Sequence, residues 1–267
     1  MEEIPLPVGC VTCYFVRHGE RIDHIDDTWI RNAAVPYDPP LTAEGLLQAQ
    51  RTGALISSLE SSLDPAEYLV LTSPFLRCLQ TAQAIQQGYM ADRPGSWKIA
   101  IEPGLSEVMN ENYFDHPLPD ALISQREREL GDGCTNMRVD REYRRVKEKL
   151  PEYPENFQNM MARFVTTLDM ATARQLGVLA AQNAGQPESP AKRRVLIMVT
   201  HGAGISSLLW ATTRQPGAYD VPYCCLTRAQ LVSRLSSQPL APFGSTRIPA
   251  FRWNVDYRAY SQHTANL

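Results

Sequence analysis

The stretch that decides the fold is Val195-Leu196-Ile197-Met198-Val199-Thr200-His201-Gly202, in which an apolar run leads directly into a histidine and a glycine. A continuous apolar run of this length is typical of a strand that is covered on both faces, as in a parallel sheet. The same pattern occurs near the start of the chain, where the apolar segment Cys10–Val16 ends at Arg17-His18-Gly19. A further strand is predicted over Tyr68–Thr72. These similar apolar runs predict an α/β fold with parallel strands.

Segments with helical periodicity separate these strands. Helices are predicted over Ala43–Leu59, from Ser73-Pro74 (Ser as cap, Pro at the first helical position) toward Gln87, and over Asn136–Lys149, Glu155–Gln182 and Gly204–Thr213. Further strands are predicted over Lys98–Glu102, Gln230–Leu235 and Phe251–Tyr257. This alternation predicts a three-layer α/β/α sandwich with a mostly parallel central sheet. We expect a single domain over residues 1–267, with an irregular insertion at about 110–136 and a segment at 184–194 that leads from the long helix into the sheet.

Composition excludes several classes of protein. The 267 residues carry 26 Lys+Arg and 29 Asp+Glu, a net charge of −3, which argues against nucleic acid or an anionic membrane as the main partner. No apolar run is long enough to span a bilayer, and the acidic start Met1-Glu2-Glu3 is unlike a secretory signal. Six cysteines are too sparse for a disulfide scaffold. We therefore expect a cytoplasmic or nuclear protein.

Polar residues are predicted to meet at the carboxyl ends of three strands. They are Arg17-His18-Gly19, Arg77 and His201-Gly202. Ligands bind at this edge of open α/β sheets, where helix N-termini also converge. Neutral imidazole is a competent nucleophile toward phosphorus, and arginine forks spread the charge of phosphoryl oxygens. Gly19 and Gly202 would let the backbone approach the ligand closely. This chemistry also requires an acid for the departing alcohol, usually a carboxyl group, and we expect no metal ion or cofactor.

The sequence resembles the histidine phosphatase superfamily, whose fold is called phosphoglycerate-mutase-like. The resemblance spans Tyr14 to Leu209 and rests on signature segments in the family's order. They are Val16–Glu20, Thr72–Ala82 and Thr200–Gly202, with Leu41–Ala49 matching a helix start that is common in the family. Arg-His-Gly alone would be weak evidence of kinship, whereas the ordered combination is specific.

The resemblance implies a role for each matching residue. His18 would be the nucleophile, transiently phosphorylated, and Arg17, Arg77 and His201 would bind the phosphoryl group. Within the superfamily, Arg17–Asp23 and Glu102–Glu107 look most like the phosphatase domain of the suppressor of T-cell-receptor signalling (Sts) proteins. That clade implies that Arg21 is a further phosphate ligand and Glu107 the general acid.

The chain is also similar to the phosphatase-like subunit of the fungal RNA polymerase III initiation factor, which likewise begins at the Arg-His-Gly strand. Nothing here corresponds to the ubiquitin-binding and SH3 domains of the Sts proteins, so their mode of recruitment is not carried over. The region at about 110–136 does not match closely and is expected to shape the substrate mouth.

Two hypotheses follow for the function. The first is a histidine acid-type phosphatase, which hydrolyses a phosphomonoester such as phosphotyrosine or a small phosphate ester through phospho-His18. The alternative is a subunit of a transcription or signalling complex that keeps the phosphate pocket with little turnover. A homodimer and a larger assembly both remain open. Arg21 could instead pair with Asp23 or Asp26, and Glu102, Glu111 and Asp115 compete with Glu107 as the acid.

Overall fold

The computed structural model of the chain describes residues 3–6, 10–60, 66–90, 97–131, 137–184, 193–215, 219–235 and 250–265. Its strands are β1 (Glu3–Pro5), β2 (Val11–Arg17), β3 (Ala66–Thr72), β4 (Trp97–Ile101), β5 (Arg138–Val139), β6 (Arg193–Thr200), β7 (Leu226–Leu235) and β8 (Phe251–Tyr260). Its α-helices are α1 (Trp29–Asn32), α2 (Ala43–Glu60), α3 (Leu76–Met90), α4 (Ala121–Gly131), α5 (Phe157–Ala184) and α6 (Gly202–Thr213). Short 3₁₀ helices cover Ile22–His24, Pro103–Leu105 and Gln262–Thr264.

The strands form one sheet with a parallel centre. The order runs β7-β2-β6-β3-β4-β5, and every neighbouring pair from β2 to β5 is parallel. Strand β7 pairs antiparallel with β2, β8 and β1. Among the described strands, β7 alone therefore runs against the rest. The sheet confirms the mostly parallel arrangement that the apolar runs predict.

Helices cover both faces of the sheet because β2 and β6 alternate apolar side chains between the two faces. Cys13 and Phe15 join the cluster formed with α5 and α6, whereas Tyr14 and Val16 join the cluster formed with α2 and α3. Each fully buried apolar side chain stabilises the fold by about 1.5–3 kcal/mol. This arrangement confirms the predicted three-layer α/β/α sandwich. None of the helices in the described ranges has the length and apolar content needed to cross a bilayer.

The helix predicted over Asn136–Lys149 is wrong. From 137 onward the chain forms the short strand β5 and then turns. The reason is the buried Glu102 carboxylate, which accepts hydrogen bonds from the Val146 amide (2.7 Å), the Lys147 amide (3.1 Å) and the Tyr143 hydroxyl (2.8 Å). These bonds take backbone donors that a helix would use internally.

The region at 110–136 is not irregular throughout, because it contains α4. Leu122, Ile123 and Leu130 are buried on one side of this helix, and Arg126 is buried among them. A charged residue on the buried face hides the helical periodicity from a sequence pattern. Residues 132–136 of the predicted insertion, with Cys134, lie outside the described residues, as does most of the segment at 184–194.

Two helix starts also differ from the prediction. Helix α3 begins at Leu76 rather than at Pro74, because the Asp38 carboxylate accepts a hydrogen bond from the Leu76 amide (2.8 Å). Ser73, predicted as the cap, bonds to His201 instead. Helix α6 begins at Gly202, two residues before the predicted start. Strand β1 and the short helix α1 have no counterpart among the predicted elements. The remaining strands and helices lie within a few residues of their predicted positions.

Candidate active site

Backbone hydrogen bonds continue the parallel ladder past the ends of the strands. The His18 amide donates to the Thr200 carbonyl (3.0 Å), and the Ser73 amide donates to the Val199 carbonyl (3.1 Å). The residues that follow β2, β3 and β6 are therefore held side by side. His201, which follows Thr200, occupies the N-cap position of α6 and lies next to His18, with 5.4 Å between the ring centroids. The structure thus brings the two predicted histidines together.

The tautomer of His18 follows from its neighbour. Its Nδ1 lies 2.8 Å from the Gly19 carbonyl oxygen, which can only accept a hydrogen bond. Nδ1 therefore carries the proton in the neutral ring. Nε2 is left with a lone pair that is available to attack an electrophile.

His201 is held on both ring nitrogens. Its Nε2 lies 2.8 Å from the Ser73 hydroxyl. Its Nδ1 lies 3.2 Å from Arg77 Nη2 and 3.3 Å from Glu107 Oε2. The edge of the Phe75 ring packs against the imidazole at 5.1 Å between centroids. His201 therefore has a fixed orientation and links the arginine to the carboxyl group.

Arg77 is the largest of the fully buried side chains, with 1% of its surface exposed. Its guanidinium group lies over the Phe75 ring at 4.5 Å and near the carboxylates of Glu107 (3.8 Å) and Asp38 (4.0 Å). Nε and Nη1 are buried with no hydrogen-bond partner in the described part of the chain. Such orphaned donors are costly unless a ligand satisfies them, so they point to an anion. Burial lowers the pKa of Arg77, and Arg21 lowers it further.

The loop before β7 holds Arg17. Its Nη1 donates to the Val221 carbonyl (2.6 Å), and the Tyr223 ring covers the face of its guanidinium group at 4.4 Å. The Nε of Arg17 is another buried donor without a partner among the described residues. Tyr223 also lies 5.7 Å from His18, centroid to centroid, so this loop closes one side of the histidine pair.

The surroundings of both histidines favour the neutral ring. Burial lowers the pKa of His18 well below its ordinary value, and the positive charges of Arg77 and Arg17 lower it further. Burial likewise lowers the pKa of His201, with Arg77 as the second cause. A neutral His18 keeps the nucleophilic lone pair on Nε2.

The two predicted glycines have different surroundings. A Cβ on Gly19 would lie 2.4 Å from the Gly45 carbonyl oxygen at the start of α2, so close backbone packing requires glycine there. A Cβ on Gly202 would meet the Val221 side chain at 3.5 Å, an ordinary contact, and would lie 3.8 Å from Arg17. Packing between elements therefore requires glycine at position 19, and the close approach of a ligand to Gly19 and Gly202 stays a prediction.

A cavity of about 480 Å³ adjoins the histidine pair. Its walls are formed by Arg21, Asp23, Ile30, Pro36, Tyr37, Arg77, Glu107, Tyr113, Phe114, Asp115, His116 and Leu118. His18, His201 and Arg17 are not part of these walls. Arg77 and Glu107 line the cavity and also contact His201, so they connect the cavity to the histidine pair. Much of the remaining wall is apolar or aromatic.

Arg21 forms the ion pair with Asp23 that the sequence left open, and its role as a phosphate ligand stays a prediction. Its Nε donates to one Asp23 carboxylate oxygen (2.9 Å), and its Nη2 bonds to the other. It also lines the cavity, as Arg77 does. The ion pair holds the guanidinium group at the mouth.

Glu107 is the only one of the four candidate acids that contacts His201 within the residues the structure covers. Glu102 is turned away and accepts hydrogen bonds from the segment at 143–147. Glu111 is exposed, and Asp115 lies in the cavity wall. The geometry therefore favours Glu107.

Sequence reasoning missed three residues around the site. Asp38 and Arg126 form a buried ion pair beside Arg77, and Arg126 Nε also donates to the Pro74 carbonyl (3.0 Å). Tyr223 covers Arg17. No local signal marks them, because each acts through a contact between segments that are distant in the sequence.

Comparison with known proteins assigns the family. The profile described as "Histidine phosphatase superfamily (branch 1)" matches residues 13–234. The chain belongs to the histidine phosphatase superfamily. This confirms the resemblance inferred from the signature segments.

The curated relatives of this superfamily member include phosphatases. The chain is 25% identical over 285 residues to the ecdysteroid-phosphate phosphatase of Drosophila melanogaster. The aligned region covers 91% of this chain and 34% of that protein. It is also 25% identical over 250 residues to the ubiquitin-associated and SH3 domain-containing protein A of Homo sapiens, an Sts-type protein, with 83% of this chain and 33% of that protein covered. The chain thus spans about a third of the length of these relatives.

A solved structure has the same fold. The ecdysone phosphate phosphatase of Bombyx mori, in complex with tungstate, superposes with a TM-score of 0.58 at 20% identity, covering 88% of this chain and 94% of that one. The likeness to the fungal initiation-factor subunit stays a prediction.

Proposed function

We propose that the chain is a phosphomonoester hydrolase that works through a phosphohistidine at His18. The observation that carries this proposal is the bond from His18 Nδ1 to the Gly19 carbonyl, which leaves Nε2 unprotonated beside His201 and two arginines with orphaned donors. A nucleophile with its lone pair held beside an anion pocket is the arrangement that covalent phosphoryl transfer requires.

The reaction has two displacements. The Nε2 lone pair of His18 attacks phosphorus, the P–O bond to the alcohol breaks, and the leaving oxygen takes a proton from the Glu107 carboxyl group. Water then attacks the phosphohistidine and gives a proton to the Glu107 carboxylate, which releases inorganic phosphate and free His18. Glu107 is restored to its protonated form, so the cycle is balanced. These steps require no metal ion or cofactor.

Buried cationic donors would stabilise the transferring group. Arg77 Nε and Nη1 and Arg17 Nε lack partners among the described residues and can donate to phosphoryl oxygens. Ser73 at Nε2 and Arg77 at Nδ1 hold the His201 ring beside the same group. Such preorganised donors are worth most in a site that excludes water. Arg21 adds positive charge at the mouth.

The cavity favours an ester of an aromatic or apolar alcohol. Ile30, Tyr37, Tyr113, Phe114 and Leu118 provide apolar walls beside Arg77 and Glu107. An aromatic or otherwise apolar leaving group would bury its surface there while its phosphoryl group reaches the histidines. The Drosophila relative is named for an ecdysteroid phosphate, and the Bombyx structure holds tungstate, an oxyanion shaped like phosphate. Phosphotyrosine and small apolar phosphate esters are therefore the proposed substrates.

A substrate panel with three variants tests the proposal. Phosphotyrosine peptide, an aryl phosphate and a sugar phosphate are assayed with wild type, His18→Ala, Glu107→Gln and His24→Ala. We expect His18→Ala to lose about 10³-fold or more in kcat/KM. His24 is an exposed histidine that contacts Tyr223 but neither ring of the pair, and its variant should keep most of the turnover and the phosphoenzyme. Rapid quenching should trap an acid-labile phosphoenzyme in wild type and His24→Ala but not in His18→Ala.

Two results would contradict the mechanism. Full hydrolysis by His18→Ala would exclude His18 as the nucleophile, and activity that depends on an added divalent cation would exclude the metal-free steps. Phosphate binding without turnover on any ester would support the alternative, in which the pocket serves an interaction subunit.

A further inference from the structure

A buried ion pair lies behind the loop that carries Glu107. Arg163 in α5 donates from Nε and Nη2 to the two carboxylate oxygens of Glu155, at 2.7 Å each. Both side chains are only 4% exposed. Neither residue belongs to a signature segment of the family resemblance, and neither lines the cavity.

The remaining donor of Arg163 reaches the loop itself. Nη1 donates to the carbonyl oxygens of Gly104 (3.0 Å) and Ser106 (2.9 Å). The carbonyl of Leu105, between them, accepts a hydrogen bond from the Thr200 hydroxyl at 2.7 Å. Three successive carbonyls before Glu107 are therefore held in place.

The other side of Glu107 is held by the partner of Arg163. Glu155 Oε2 accepts from the Met109 amide at 3.4 Å, and the Glu155 amide donates to the Met109 carbonyl. Arg163 and Glu155 thus fix the backbone on both sides of Glu107. The Glu107 side chain then points at His201 and Arg77.

Stability alone does not account for this pair. Burying two ions costs several kcal/mol each, and well-packed apolar residues of similar volume are often as stabilising or more so. Apolar residues, however, cannot donate to two carbonyl groups. The particular contribution of the pair is therefore the geometry of the loop, and a displacement of about 1 Å at a reacting group can cost about 10²-fold in rate.

We propose that Arg163, oriented by Glu155, is a positioning residue that holds the Ser106–Glu107 peptide so that the Glu107 carboxyl group can protonate the leaving oxygen. This inference rests on the proton-donor role of Glu107 in the proposed function. Arg163 in α5 and Glu155 in the segment before α5 would thus support the reaction without touching the substrate.

The test uses the dependence of the rate on the leaving group. An ester of an acidic phenol, para-nitrophenyl phosphate, leaves without a proton, whereas phenyl phosphate needs one. Arg163→Lys and the double variant Arg163→Met/Glu155→Met should lose about tenfold in kcat/KM on phenyl phosphate, a part of the ~10²–10⁴-fold that proton transfer contributes. Their loss on para-nitrophenyl phosphate should be smaller than about threefold.

Glu107→Gln and Glu60→Gln serve as controls. Glu60 accepts hydrogen bonds from Tyr14 (2.6 Å) and from Arg193 (2.7 Å). Arg193 lies at the opposite end of β6 from His201. Glu60→Gln therefore weakens a buried ion pair without touching the loop that carries Glu107. It should change the rates on both esters equally. Glu107→Gln should show the same selective loss as the Arg163 variants, and larger.

The outcomes separate the two proposals. If Glu107→Gln is selective and the Arg163 variants are not, Glu107 is the acid and the positioning role is wrong. If Glu107→Gln itself shows no selectivity, the proton-donor role fails and the positioning role fails with it. The double variant removes both buried charges, but it also removes the donor to the Gly104 and Ser106 carbonyls and the acceptor of the Met109 amide, so its thermal midpoint should fall. Glu60→Gln also weakens a buried ion pair, so a selective loss that the double variant shows and Glu60→Gln lacks supports positioning over general damage to the fold.

Discussion

The buried carboxylate of Asp38 offers a sharp test of how the site is held together. It accepts the hydrogen bond of the Leu76 amide at the start of α3, forms an ion pair with Arg126, and lies 4.0 Å from Arg77 Nη1. Replacing it with alanine removes a helix cap and leaves two guanidinium groups, both at least 96% buried, without their shared counter-ion.

The magnitude follows from these contacts. Removing one partner of a buried ion pair costs about 3–5 kcal/mol, and losing a helix cap costs about 1 kcal/mol. Together these costs come to about 4–6 kcal/mol. Arg126 keeps a second, partly exposed partner in Glu129, so we expect the total for Asp38→Ala to lie near the lower end, at about 4 kcal/mol. Asp38→Asn keeps an acceptor for Leu76 and should cost about 1 kcal/mol less.

Urea unfolding followed by tryptophan fluorescence measures both variants. With m of about 3 kcal/mol/M, Asp38→Ala should lower the midpoint by about 1 M. Glu129→Ala is the matched control, because it removes the other carboxylate from the same Arg126 at a partly exposed position, and it should cost less than about 1 kcal/mol. Equal shifts for Asp38→Ala and Glu129→Ala would refute the ion-pair reasoning. Equal shifts for the alanine and asparagine variants would refute the cap.

Further outcomes follow from the histidines and the glycines. The pKa of His18 is lowered, so its ring should stay neutral as pH falls through 6.5, the ordinary value. An NMR titration, with the His18 signal assigned by comparison with His18→Ala, measures this. Protonation at or above pH 6.5 would contradict the expectation. Because this pKa is lower in the folded chain than in the unfolded one, the free energy of unfolding should decrease as pH falls below about 6.5. Gly19→Ala should cost about 1–3 kcal/mol through the clash with Gly45, whereas Gly202→Ala, with ordinary contacts, should change the unfolding midpoint little.

The central strands are predictable because their apolar runs are covered on both faces and end at polar residues. Cys10–Val16 and Val195–Thr200 correspond to β2 and β6 within two residues. The convergence of His18, Arg77 and His201 is predictable for the same reason, since the carboxyl ends of parallel strands meet at one edge. Local pattern and family order are sufficient here.

Elements that depend on distant partners are not predictable in this way. The segment predicted as a helix over Asn136–Lys149 is bonded to Glu102, and α4 has the buried Arg126 on its inner side. Asp38 caps a helix that begins 38 residues later. In each case a single charged side chain decides the local structure through a contact that no periodicity encodes.

The place of β2 in the sheet has a consequence for folding during synthesis. Its pairing partners are β6, which ends at Thr200, and β7, which begins at Leu226. The strand that leads into His18 thus emerges from the ribosome long before either neighbour exists, with an apolar run and two unpaired edges. Such a segment is prone to pair with other chains. We expect the nascent chain to need protection by a chaperone until about residue 235 has been made.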